Sequence, residues 1–154
     1  MKDDYGAGGM PANQTIRAWA LLMRVSRQML ERVEGALKEA GLPPLVWYDV
    51  LHELVGAGEA GLRPGQLMES MLLAQYNLSR LLDRMEKDGL IARSAVEGDG
   101  RAQMITATAE GRRIRRAMWT VYGRQISELV GDRLNERERK TLSGLLLKLR
   151  PSDG

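Results

Sequence analysis

Asn77, Ser79, Arg80 and Arg84 fall within one short stretch, and their side chains are of the kinds that read nucleic acid. A carboxamide can pair adenine through two hydrogen bonds, and a guanidinium can pair guanine or a phosphate. Gln75 and Tyr76 stand just ahead of them, and Arg93 follows. Asp99-Gly100-Arg101 comes next, a carboxylate two residues from a guanidinium. Held by Asp99, Arg101 could enter a minor groove, where narrow A·T tracts concentrate negative potential. The plain alternative is a solvated helix face, with Arg80 and Arg84 paired locally to Asp83 or Glu86 and a surface ion pair at Asp99 worth roughly 0–1 kcal/mol.

The elements that would carry these residues favour DNA contact. Residues 66–106 read helix, turn, helix, strand, tight turn, strand. This is the order of parts in a winged helix-turn-helix, which lays a helix in a DNA groove and a basic hairpin tip beside it. Leu78, Leu81, Leu82 and Met85 form the apolar stripe of a helix over residues 75–88. Strand-like runs over 90–96 and 102–106 flank a turn whose Gly98 and Gly100 permit positive φ. Upstream, Pro64 suits a first helical position, with Leu67, Met68 and Met71 facing inward and a turn over 72–74. Residues 45–55 read as a further helix, 56–61 as a glycine-rich loop and Leu62-Arg63 as a short strand.

Outside this module lie apolar stripes with no partner in it. Ile16, Trp19, Met23, Leu30, Val33 and Leu37 predict one long helix to about Ala40, capped by Asn13 or Thr15 and closed by Gly41 in the left-handed region. Thr108 suits the cap of another helix carrying Ile114, Met118 and Leu129. A last helix starts near Asn135, is expected to bury Leu142, Leu145, Leu146 and Leu149, and ends at Pro151. The expected class is mainly α with a small β-hairpin wing: a winged helix-turn-helix between N- and C-terminal dimerisation helices. The expected division is a flexible arm over 1–14, dimerisation helices over 15–43 and 108–150, and the winged module over 44–107. Two distant amphipathic ends fit an intertwined homodimer.

Composition bounds the chemistry. The 154 residues carry a net charge of +3, and four of the five residues over 112–116 are arginine, so basic charge is patterned rather than gathered in a tail. The absence of cysteine excludes disulfides, thiolate catalysis and Cys-based zinc sites. His52 is the sole histidine, too little for a metal centre. No Ser/His/Asp arrangement or phosphate-cradling glycine loop appears, so neither an enzyme nor a cofactor is expected. The N-terminus lacks the pattern of a secretory signal, and no apolar run approaches the roughly 20 residues of a membrane span. A cytoplasmic protein without membrane contact is expected.

Residues 79–93, Ser-Arg-Leu-Leu-Asp-Arg-Met-Glu-Lys-Asp-Gly-Leu-Ile-Ala-Arg, resemble the MarR family of transcriptional regulators. So do Asp99-Gly100-Arg101 and Thr108-Ala109-Glu110-Gly111-Arg112, which follow the family's Asp-x-Arg wing and Leu-Thr-x-x-Gly-Arg pattern. Two departures stand out. Leu73-Ala74-Gln75 occupies the stretch where the family often has a Ser or Thr cap, and Ala107 replaces the leucine before the Thr. The resemblance implies a homodimer on double-stranded DNA at a pseudo-palindromic operator, commonly a repressor released by a ligand. It also implies a small-molecule pocket, for which Trp19, Met23, Trp47, Tyr48 and His52 are the candidates, with a small aromatic effector as the ligand. The same rings also serve as ordinary core, and His52 as an ordinary helix histidine. The competing function is a winged helix used for protein–protein contact without DNA.

Overall fold

The computed structural model describes residues 9–73 and 77–151, the Arg101 side chain excepted. Gln75 and Tyr76, most of the expected N-terminal arm and the Ala74 part of the turn lie outside the described residues. The chain divides into two compact units, Met1–Arg32 and Val33–Gly154. Helix α1 (Asn13–Glu39) begins in the first and ends in the second.

In the first unit, α1 starts at Asn13, and the Ala12 carbonyl accepts the bonds from Thr15 and Ile16 N–H. Neither Asn13 nor Thr15 therefore holds the cap position foreseen for them. Ile16, Trp19, Met23 and Leu30 are all exposed. Ser26, where the apolar stripe skips a turn, donates its hydroxyl to the Met23 carbonyl at 3.1 Å.

The second unit opens on the buried end of α1, Val33 and Leu37. Gly41 closes that helix at φ 69°, with Leu42 N–H bonded to the Leu37 carbonyl and Gly41 N–H to that of Lys38, the paired bonds of a Schellman cap. Helix α2 (Leu45–Ala57) follows. Its Leu45 N–H, an orphan donor at a helix start, bonds the Glu34 carboxylate at 3.0 Å. The glycine-rich stretch is more helical than its composition predicts: α2 runs to Ala57 and a 3-10 turn covers Gly58–Ala60. Leu62 forms an isolated bridge with Ile105 rather than a strand.

Helix α3 (Pro64–Ser70) begins at its proline. Helix α4 (Leu78–Lys87) begins later than predicted. Strands β1 (Ile91–Val96) and β2 (Asp99–Ala107) pair antiparallel from Ile91↔Ala107 to Val96↔Asp99, with a bulge at Ala95/Val96. The turn is Glu97-Gly98, tighter than the sequence suggests. Gly98 alone takes positive φ there, at 83°. Helix α5 (Ala109–Ile126) leads through a π turn, Ser127–Gly131, to α6 (Glu136–Leu149). The last helix starts where predicted, with Asn135 as its cap, and the Glu138 carboxylate accepts Asn135 N–H in return.

The core joins α2, α3, α4 and the hairpin through Leu51, Leu54, Leu67, Leu82, Met85 and Ile105. Helix α6 differs. It buries no residue, and Leu142, Leu145, Leu146 and Leu149 are 39%, 53%, 41% and 65% exposed. The expected burial of these leucines is not met within one chain. Among the described residues, no helix is long and apolar enough to cross a membrane.

Candidate nucleic-acid interface and aromatic cleft

Helix α4 owes its position to its buried stripe, Leu78, Leu81, Leu82 and Met85. The opposite face presents Ser79, Arg80, Asp83 and Arg84 to solvent. Asn77, expected to read bases, is the cap that the 73–75 stretch lacks: its side-chain oxygen accepts Arg80 N–H at 3.3 Å. A helix start needs such an acceptor, and one carboxamide oxygen is thereby committed to structure. At the other end Gly89, at φ 78°, and Leu90 close a second Schellman cap, with Leu90 N–H on the Met85 carbonyl and Gly89 N–H on that of Glu86.

Arg93 projects from β1 back to α4. Its guanidinium lies 2.8 Å from Asp83 and 3.6 Å from Glu86 and is only 21% exposed. Arg93 is thus a brace between strand and helix, not the open cation that its sequence position suggests. The brace occupies the two acids that local pairing would have given to Arg80 and Arg84. Among the described residues, neither arginine makes an ion pair within 4 Å. Asn77, Ser79 and Arg93 meet around one groove of about 460 Å³ that Pro64, Met68 and Gln103 complete. Gln103 went unnoticed in the sequence because its face of β2 is set by the hairpin register. Asp99 is exposed at the start of β2.

The hairpin is fixed at its root by contacts that account for the Thr-x-x-Gly motif. Thr108 accepts Gly111 N–H at 3.0 Å as the α5 cap and donates its hydroxyl to the Gly89 carbonyl at 2.6 Å. Its own N–H bonds the Leu90 carbonyl at 3.1 Å. A Cβ on Gly111 would stand 2.1 Å from that same carbonyl oxygen, so only glycine fits. Gly61, at φ 71°, would place a Cβ 2.5 Å from the Ile105 carbonyl oxygen.

Two of the candidate ligand residues share a cleft. Tyr48 and His52 line a cleft of about 480 Å³ with Asp49, Glu53, Leu72 and Tyr122. Trp47 is instead part of the core. Trp19 and Met23 belong to the N-terminal unit and are exposed there. The Tyr48 ring stacks on His52 at 5.6 Å and on Trp119 at 6.0 Å, and meets Tyr122 edge-on at 5.2 Å. Arg115 donates to His52 Nδ1 at 2.9 Å and lies 5.8 Å from the Tyr48 ring centre. Arginine has only donors, so Nδ1 is the acceptor in this contact. Burial pushes the Tyr48 phenol above its usual range, Arg115 pulling the other way and Asp49 adding to the rise. Tyr122 is raised too, by burial first and then by Tyr48 and Asp49.

Asp49 is the buried charged residue of the described chain. One carboxylate oxygen accepts Leu72 N–H at 3.0 Å and the other Leu73 N–H at 2.6 Å. Neither Asp49 nor Arg115, Trp119 and Tyr122 stands out in the sequence as a site residue. Their partners are distant along the chain, and each alone reads as a helix-face residue. The basic run over 112–116 is likewise divided. Arg113 pairs with Glu110, whose carboxyl that hydrogen bond holds below the usual range. Arg115 turns to the aromatic cluster.

A helix-turn-helix, α3 and α4, backed by a two-stranded hairpin defines a winged-helix protein. Residues 40–102 match the MarR family model. The HTH-type transcriptional regulator PrsX of Escherichia coli is 30% identical over 91 residues, 59% of this chain and 54% of PrsX. The chain thus matches about half the length of that relative. The MarR family transcriptional regulator Sco3205 of Streptomyces coelicolor, solved in complex with DNA, superposes with TM-score 0.84 at 21% identity, over 95% of this chain and 94% of that one. BpsR of Bordetella bronchiseptica, whose DNA binding is regulated by 6-hydroxynicotinic acid, gives 0.79 at 21% identity, over 94% and 100%. At these identities the likeness carries the fold.

Proposed function

We propose that the chain is a sequence-specific DNA-binding transcriptional regulator that acts as a homodimer on a pseudo-palindromic operator, with α4 as the recognition helix. One observation carries this reading: Arg93 occupies both Asp83 and Glu86, leaving Arg80 and Arg84 as exposed cations on the outer face of α4. Such a face suits phosphates and base edges. Arg101, beside the hairpin turn, is the minor-groove candidate. The exposed leucines of α6 supply an apolar face for a second copy, which would set two recognition helices about one DNA turn apart. Repression released by a small aromatic effector in the Tyr48–His52 cleft completes the reading.

The test is fluorescence anisotropy on DNA from immediately upstream of its own gene, against a scrambled duplex, at several salt concentrations. Tighter binding to the upstream DNA, lost steeply with salt, is expected. Arg80→Ala and Arg101→Ala should each weaken binding about tenfold with the fold intact, and Asp99→Ala less. No binding to any duplex at low salt would leave the winged helix as a protein-contact module.

A further inference from the structure

Among the cleft residues, Asp49 has a position that neither its own helix nor the core explains. It sits mid-way along α2, and its carboxylate spans two consecutive backbone amides, Leu72 and Leu73. In sequence, Leu72 and Leu73 stand shortly ahead of Asn77, the cap of α4. Leu72 is 78% exposed, so its side chain contributes little to holding this segment. The carboxylate therefore holds the backbone at Leu72 and Leu73. A buried carboxylate satisfied by backbone donors, with no cation within ion-pair distance among the described residues, is costly to form and costly to disturb.

Asp49 also belongs to the cleft. Asp49, Glu53, Leu72 and Leu73 are all part of its wall, beside Tyr48 and Tyr122. Among the described residues, the lining holds two carboxylates and neither lysine nor arginine. Arg115 is near but turned to His52 and the Tyr48 ring. The upward displacement of both tyrosines carries a contribution from Asp49, as expected where a negative potential reaches the rings. Faces of tyrosine rings also attract cations.

We propose that Asp49 is the positioning residue that couples this cleft to the recognition helix, and that it is released by an aromatic ligand carrying a cationic hydrogen-bond donor such as an amidinium. The ligand takes over the carboxylate oxygens, the Leu72 and Leu73 amides lose their acceptor, and the start of α4 is no longer held in one place. The sign is opposite to that of an aromatic acid, which would meet two carboxylates of its own charge. The consequence for DNA rests on the regulator reading above; the coupling itself does not.

The experiment is amide hydrogen exchange by NMR on the full chain, with benzamidine and benzoate as probes of equal shape and opposite charge. Benzamidine, and separately Asp49→Asn without a probe, should each speed exchange at Leu72 and Leu73 about tenfold or more. The Thr108 amide, bonded to Leu90, should be unmoved. Asp49→Asn should also weaken binding to the upstream DNA about tenfold while leaving the salt slope unchanged, because no phosphate contact is lost. A purely structural loss would raise exchange at Thr108 as well. Unchanged exchange at Leu72 and Leu73 with benzamidine, or an equal effect of benzoate, overturns the proposal. If Asp49→Asn does not fold, the probe arm on the unaltered chain still decides. Exchange needs no DNA, so failure of the unaltered chain to bind DNA would sink the regulator reading and leave this result standing.

Discussion

The winged module and α6 are built from similar residue types and end in opposite states. In the module, Leu51, Leu54, Leu67, Leu82 and Met85 are all but sealed from solvent. In α6, a leucine stripe of comparable quality buries nothing. The difference is one of partners. The α4 stripe meets α2, α3 and the hairpin within its own chain, whereas the α6 stripe meets water. An apolar stripe therefore says which face must be covered, not by what. A module complete in itself can hold a reading surface steady, and a helix left open can set how two such surfaces are spaced.

Four measurements break or sharpen this contrast. The largest effect is expected at Leu82→Ala, which opens a cavity in the module core and should cost about 2–5 kcal/mol in chemical denaturation. A loss under about 1 kcal/mol would mean the module is not self-sufficient. Next is Leu145→Glu on α6. If a second copy covers this face, a charge there should weaken self-association about a hundredfold, roughly 3 kcal/mol, in sedimentation equilibrium. A sedimentation profile equal to that of the unaltered chain would show that α6 stays bare. Asn77→Ala removes the α4 cap and should cost about 1 kcal/mol in thermal unfolding. Little or no loss would return Asn77 to the role of a free base-reading residue.

The smallest effect concerns pH. The folded phenols of Tyr48 and Tyr122 are raised above the usual value of 10.0. Their contribution to stability is fully present below that unfolded-state value and is lost as pH rises through the folded one. Absorbance titration should find these two ionising later than free tyrosine, with stability falling above about pH 10. Ionisation at the free-tyrosine value would mean that the aromatic cluster is open to water.

Most of the architecture is legible in the sequence because its signals are local. The three- and four-residue stripes, Pro64, Gly41, Thr108 and Asn135 each act within a turn or two of themselves. The exceptions have physical reasons. The glycines at 56 and 58 suggest a loop, yet α2, with Leu51 and Leu54 buried, runs through Gly56 to Ala57, and Gly58 opens a 3-10 turn. Asn77 has the chemistry of both a base reader and a cap, and spacing alone does not choose between them. Arg93 reads as a phosphate ligand until the hairpin register swings it onto Asp83. Arg115 meets His52 across 63 positions of chain, and Asp49 meets Leu72 across 23. Contacts of that span leave no periodic trace.

The root of the hairpin has one further consequence. Gly89 and Leu90 on one side and Thr108 and Gly111 on the other form a clasp, and everything between them is a closed ribbon. Closing a ribbon costs only slowly more as it lengthens. The tip at Glu97-Gly98 can thus gain or lose residues in pairs while the clasp, the core and the α5 cap keep their geometry. Reach beyond the core is, in this fold, a quantity that insertion and deletion can adjust without renegotiating the rest of the molecule.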